Sequence, residues 1–141
     1  MSIVRTLVVD DSEPFRRFVC STLERRPELQ VIGEASDGLE AVQKAEELRP
    51  DLILLDIGLP TLNGIEAAHR ISNLVPGATI LFLSQETDAE VVAAALSNGA
   101  GGYVLKLDAI LELLPAVESV LRGQRFISTG VTPLHTTPPV D

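Results

Sequence analysis

Short apolar runs alternate with longer amphipathic stretches along this chain, and most of the apolar runs end on a polar side chain. Residues 3–9 (IVRTLVV) are largely β-branched and apolar, which predicts a strand. Ser12 suits the cap of the helix that follows, with Glu13 and Pro14 in its first turn. Phe15, Phe18, Val19, Thr22 and Leu23 recur on one face of that helix, and Pro27 ends it. Residues 29–33 read as a second strand. Residues 38–48 read as a helix with Leu39, Val42, Ala45 and Leu48 inward, closed by Pro50.

The third strand, 51–56 (DLILLD), is almost continuously apolar inside, so it needs cover on both faces, as a central parallel strand does. A loop over 57–63 leads to a helix at 65–74, and Pro76-Gly77 breaks the chain. A fourth strand is expected at 79–83 and a helix at 89–98, capped by Asp88 and followed by Gly99 as a left-handed residue. The fifth strand falls at 102–105 and the last helix at about 108–122. Pro115 lies inside that helix and removes one hydrogen bond, but Ile110, Leu111, Leu114, Val117 and Leu121 favour one bent helix over two. Five strand–helix units predict an α/β fold: a doubly wound, five-stranded parallel sheet of order 2-1-3-4-5 with helices on both faces.

In that order, ligands bind beyond the carboxyl ends of the strands, at the switch between strands one and three. Asp10-Asp11 and Asp56 end those two strands, and Ser84 and Lys106 end the next two. Three clustered carboxylates repel one another, and Mg2+, which prefers carboxylate and water oxygens, offsets that repulsion. Asp10-Asp11 alone would be no more than a turn and helix cap. With Asp56 and Lys106 at matched strand ends, the set reads as a phosphoryl-transfer site. Asp56 is then the nucleophile that forms an acyl phosphate, Lys106 neutralises phosphoryl oxygens, and Ser84 donates its hydroxyl to one of them. Tyr103, the one tyrosine, shares its side of the fifth strand with Leu105 near a sheet edge. It is read either as a packed aromatic or as a rotamer coupled to Ser84.

Composition narrows the choice. The 141 residues suit one domain with a real core, and 20 acidic against 11 basic side chains give a net charge of -9. A surface of that sign argues against nucleic-acid binding by this chain itself. No apolar run is long enough for a membrane span, and no room precedes the first strand for a signal peptide, so a cytoplasmic location is expected. Cys20 stands alone and reads as structural. His69 and His135 form no recognisable metal motif and read as incidental.

The segments LVVDDSEPFRR (7–17), DLILLDIGLPTLNGIE (51–66), ILFLS (80–84) and GAGGYVLK (99–106) together resemble the response-regulator receiver domain of two-component signalling. GLEA (38–41), LDAILELLPAV (107–117) and SVLRGQRFIS (119–128) further resemble receivers that precede LuxR-type (NarL/FixJ-like) DNA-binding domains. The resemblance implies a CheY-like, flavodoxin-like fold and a phosphoryl group passed from a sensor histidine kinase to Asp56. It implies Mg2+ held directly by Asp11, Asp56 and the Gly58 carbonyl, with Asp10 acting mainly through water. Ser84 and Lys106 would contact the phosphoryl group, and Ser84 would approach it as Tyr103 turns inward. Pro60 and Gly64 match the family loop after the nucleophile. Leu107 stands where many receivers carry proline, and Gln85 where a small residue is common.

The receiver is expected to span 1–128, with 129–141 (TGVTPLHTTPPVD) as a flexible tail or the start of a truncated interdomain linker. On this reading the chain catalyses its own phosphorylation and slow dephosphorylation, and changes protein–protein contacts or an attached output domain. DNA would be reached only through such a domain, and homodimerisation is one expected contact. The principal alternative is a phosphorelay intermediate that passes phosphate from Asp56 to a histidine phosphotransfer protein. A phosphohydrolase fits less well, because Asp56-Ile57-Gly58 lacks a second acid two residues on. A purely structural module would leave the acidic set unexplained.

Overall fold

The computed structural model describes residues 2–131. Its elements run β1 (Val4–Val9), α1 (Glu13–Leu23), β2 (Leu29–Ala35), α2 (Gly38–Leu48), β3 (Leu52–Leu55), α3 (Gly64–Leu74), β4 (Thr79–Ser84), α4 (Ala89–Ser97), β5 (Gly102–Leu105), a 3-10 turn (Lys106–Asp108), α5 (Ala109–Leu121) and β6 (Phe126–Ile127). All strand pairs are parallel, in the order β2-β1-β3-β4-β5-β6. The doubly wound sheet and its 2-1-3-4-5 order are as the sequence predicts. The sixth strand is an addition: two residues too short to show a period of their own, which pair with Gly102 and Tyr103. Tyr103 therefore does not lie on an edge strand.

Alternation along the strands divides the core between two faces. Leu7, Val9, Ile53, Leu55, Phe82 and Tyr103 pack under α2, α3 and α4. Val8, Leu52, Leu54, Leu81, Leu83 and Val104 pack under α1 and α5. All four residues of β3 and all four of β5 are buried, as strands covered on both faces must be. On the outer side of β1, the pairing steps from Thr6–Val31 to Leu7–Gly33, so Ile32 forms a bulge in β2.

Polar side chains fix the helix ends. Ser12, Asp37, Asn63 and Asp88 each accept a main-chain N–H from the first turn of α1, α2, α3 and α4. At the opposite ends, arginines from elsewhere donate to free carbonyls. Arg5 reaches Leu48 and Arg49, Arg49 reaches Leu74, and Arg125 reaches Leu96 and Ala100.

Two expected helix faces are corrected. Leu39 is exposed, and α2 turns Ala41 inward in its place, beside Ala45, which is buried as expected. In α5 the buried set is Ala109, Leu113, Leu114, Ala116, Val117 and Val120, while Ile110 and Leu111 are 77% and 82% exposed. In both helices alanine at an inward position lets the backbone approach the sheet closely, joined in α5 by Leu113, Leu114, Val117 and Val120. Pro115 is accommodated within the single helix α5, on its exposed side. Among the tail residues, Val131 is buried against the α2–α4 face of the core, whereas His135 and the rest of 132–141 lie outside the described residues.

Candidate functional site

β1, β3, β4 and β5 all end at one edge of the sheet, and the expected polar residues meet there. Asp10, Asp11 and Asp56 can offer oxygens that lie within 4.8 Å of one another. Asp10 and Asp56 are buried and Asp11 is exposed. The Lys106 ammonium stands 2.7 Å from Asp10 Oδ2 and 3.1 Å from Asp56 Oδ2. Asp11, Ser12, Asp56, Gly58, Ser84 and Lys106 line one open cavity of about 370 Å³, whose wall also includes Gln85 and Glu86. A separation of 45 residues between Asp11 and Asp56 has collapsed to a shared crevice.

Local structure holds each group. Asp10 Oδ1 accepts the Ser12 N–H at 2.8 Å, which turns the chain into α1. Arg16, one turn into α1, donates to the Asp10 carbonyl at 2.7 Å and pairs with Glu34 at 3.1 Å. Asp56 Oδ1 faces the Gly58 N–H at 3.4 Å. The chain must pass very close behind Asp56: a Cβ on Gly64 would lie 1.9 Å from the Asp56 carbonyl oxygen. Gly64 is therefore required by close approach.

The electrostatics follow from burial and pairing. Burial raises the Asp10 carboxyl above its ordinary value, although hydrogen bonds from Lys106 and Ser12 oppose the rise. For Lys106, burial alone would lower the ammonium, but the Asp10 hydrogen bond and the charges of Asp56 and Asp10 outweigh it, and the net direction is upward. The cation stays charged at physiological pH. Three carboxylates against one ammonium leave an excess of negative charge, with the exposed Asp11 oxygens still free to ligate. That donor set fits a small hard cation such as Mg2+.

Ser84 is buried and its hydroxyl accepts the Glu86 N–H at 3.1 Å. Tyr103 is fully buried, with its hydroxyl donating to the Glu86 carbonyl at 2.7 Å. Burial is the main reason its phenol is pushed up to about 12; the Ser84 hydroxyl works the other way, and the charges of Glu86 and Asp56 add to the rise. Ser84 and Tyr103 thus hold the Glu86 main chain from either side, Ser84 at its N–H and Tyr103 at its carbonyl. This role of Glu86 is not legible in the sequence, because a main-chain contact carries no side-chain signal. The sequence pattern also marks Phe15 only as a packing residue, whereas the Lys106 ammonium lies 4.6 Å from the centre of its ring. The position of Phe15, four residues after Asp11, was the available signal. Cys20 is half-buried on α1, and its thiol is pushed up chiefly by burial; His69 lies in α3, away from the crevice residues.

The model of the response regulator receiver domain matches residues 6–118. This chain belongs to that family. Among curated proteins, the receiver is 38% identical over 92% of its length to the transcriptional regulatory protein LnrK of Bacillus subtilis. It is 36% identical, also over 92%, to the transcriptional regulatory protein DegU of Brevibacillus brevis. The chain spans only 59% and 55% of those two relatives. Among solved structures, a LuxR-family two-component response regulator from Aurantimonas superposes with a TM-score of 0.87 at 35% identity, covering 92% of this chain and 93% of the other. The receiver domain of a putative NarL response regulator from Mycobacterium tuberculosis gives 0.82 at 31% identity, covering 88% and 100%. The receiver is thus closely related to LuxR/NarL-type regulators, and its Asp10, Asp11 and Asp56 cluster accords with the phosphorylation and divalent-cation site typical of the family. Among the described residues, no helix is long and apolar enough to cross a membrane.

Proposed function

We propose that this receiver is a phosphorylation-operated switch in which Asp56 accepts the phosphoryl group. The observation that carries the reading is Lys106, poised on both Asp10 and Asp56 at the mouth of a crevice that also holds Asp11 and Ser84. An Asp56 carboxylate oxygen attacks phosphorus in line, the bond to the donor's imidazole nitrogen breaks, and the leaving group keeps that electron pair. Lys106 exchanges a carboxylate partner for a phosphoryl oxygen, and Ser84 turns its hydroxyl from local use toward another. Asp11, Asp56 and the Gly58 carbonyl, with Asp10 through water, are the groups that would hold Mg2+; when bound, the ion supplies charge neutralisation to the phosphoryl oxygens.

The phosphodonor partner would be a sensor histidine kinase. Leu107, Ile110 and Leu111, exposed just after Lys106, supply an apolar surface beside the crevice for such a partner. As Ser84 moves toward the phosphoryl group, the main chain at Glu86, bonded to Ser84 through its N–H and to Tyr103 through its carbonyl, carries the change to the α4–β5–α5 surface, where a second copy or an attached output domain would read it. The test is intact-mass measurement after exposure to a small phosphodonor, with and without Mg2+. Wild type should gain one phosphoryl group only with the ion, and Asp56→Asn should gain none. Equal uptake by the mutant would defeat the assignment.

A further inference from the structure

β6 stops at Ile127 and the chain turns, with the Ser128 carbonyl accepting the Val131 N–H at 3.1 Å. In a parallel ladder one residue bonds to two positions of its neighbour, through its N–H and its carbonyl. The Ser128 N–H does meet the Tyr103 carbonyl, at 2.8 Å. Its own carbonyl has turned away, which would leave the Leu105 N–H without a rung. The Ser128 hydroxyl fills it: the Leu105 N–H donates to Oγ at 3.0 Å. The hydroxyl in turn donates to Glu112 Oε1 on α5, and Thr129 reaches Glu112 Oε2 at 3.4 Å.

Ser128 is 1% exposed, so water does not compete for these bonds. A hydroxyl has one proton and two lone pairs, and this one is used in both senses. The surroundings are tight, since a Cβ on Gly130 would lie 2.8 Å from Leu105 Cδ1. Leu105 directly precedes Lys106, so the main chain one residue before the lysine is held from behind while its ammonium is held in front by Asp10 and Asp56.

We propose that Ser128, held by Glu112, is a positioning residue for Lys106, fixing through the Leu105 N–H the end of β5 from which the lysine reaches Asp56 and the transferred phosphoryl group. This rests on Asp56 being the acceptor, and it adds to the crevice a residue outside its lining. A bond that only closed the sheet edge would affect stability alone. A positioning bond must also affect the rate of the chemical step, because small misplacements of a charge-neutralising group slow reaction at a saturated site.

The experiment uses the full 141-residue chain with Mg2+ and acetyl phosphate. It measures the phosphorylation rate at saturating donor, the half-saturating concentration, and amide hydrogen exchange at Leu105. Ser128→Ala should speed Leu105 exchange and lower the saturated rate on the order of tenfold to a hundredfold with half-saturation unchanged. Glu112→Ala, at a half-buried position that keeps the fold accessible, should act in the same direction. Glu112→Gln, which keeps an acceptor, should stay within a few-fold of wild type. Faster Leu105 exchange with a normal rate, a loss confined to half-saturation, or equal losses in Glu112→Gln and Glu112→Ala would each overturn the proposal. No uptake by wild type overturns the Asp56 reading and this one with it, whereas normal uptake by both alanine variants overturns this one alone.

Discussion

Lys106 is a partner to two nearly buried carboxylates at once, so its charge matters more than its bulk. Lys106→Met would keep most of the packing and remove the cation. Breaking a buried pair costs roughly 3–5 kcal/mol where nothing else can compensate. Here the crevice is open and Asp10 is already easier to protonate than an ordinary aspartate, so a loss of about 1–3 kcal/mol is expected in chelator. Urea unfolding should show that loss shrinking when Mg2+ is added; a mutant as stable as wild type in chelator would mean the pair contributes little. Tyr103 gives a second measurement at this scale. As the one tyrosine, in a chain with no tryptophan, it can be followed alone by its ultraviolet absorbance. Its folded-state pKa is raised from 10 to about 12. The folded state therefore holds the phenolic proton more tightly, and the stability this contributes is complete below pH 10 and is lost as pH rises through about 12. Phenolate absorbance should appear well above pH 10, together with loss of structure. Ionisation near 10 in the folded protein would place the ring in water.

Among the elements, the start of α3 is sensitive to a single methyl group, as is the start of α2, where a Cβ on Gly38 would lie 1.8 Å from the Leu62 carbonyl oxygen. Gly64→Ala would place a carbon inside the Asp56 carbonyl, so either α3 or the end of β3 must move. A cost of about 1–3 kcal/mol is expected, with phosphoryl uptake falling more steeply than stability because Asp56 itself is displaced; uptake at the wild-type rate would contradict this. The elements also show how far the sequence could be read. β1, β3, β4 and β5 were legible because each is an apolar run ending on a chemically distinctive residue. That pattern carried Asp10, Asp11, Asp56, Ser84 and Lys106 to one edge without reference to distance. The faces of α2 and α5 were not legible in the same way. Leu39, Ile110 and Leu111 outweigh Ala41, Ala109 and Ala116 in any hydrophobic pattern, yet close approach to the sheet selects the alanines. β6 was illegible for a different reason: Phe126 and Ile127 pair because β5 offers an edge, not because two residues encode a strand. Long-range arginine caps such as Arg49 on Leu74 likewise follow from the finished fold.

For the molecule as a whole, acidic charge is concentrated by the topology at one end of a sheet whose protein carries -9 overall. A cation that binds there and not to the unfolded chain must stabilise the fold by mass action. At a free concentration a hundredfold above its dissociation constant, Mg2+ should add about 2.7 kcal/mol to wild type. The increment should vanish in Asp11→Asn, which alters an exposed residue and so should leave the metal-free stability close to wild type. Thermal melts across a Mg2+ series would check both statements, and an undiminished increment in the mutant would place the ion elsewhere.

The bulge at Ile32 and the sealing of β5 by β6 have a joint consequence for crowded solutions. With β5 covered, the sheet margins among the described residues are β2 and the two-residue β6, so β2 is the longer template for strand-to-strand recruitment of further molecules. There the step in pairing and the negative charge of Glu34 disrupt a straight docking rail. Fibrillar growth should therefore demand fraying of β6 first, which makes the two pairs of the shortest strand a guard on the sheet's colloidal behaviour.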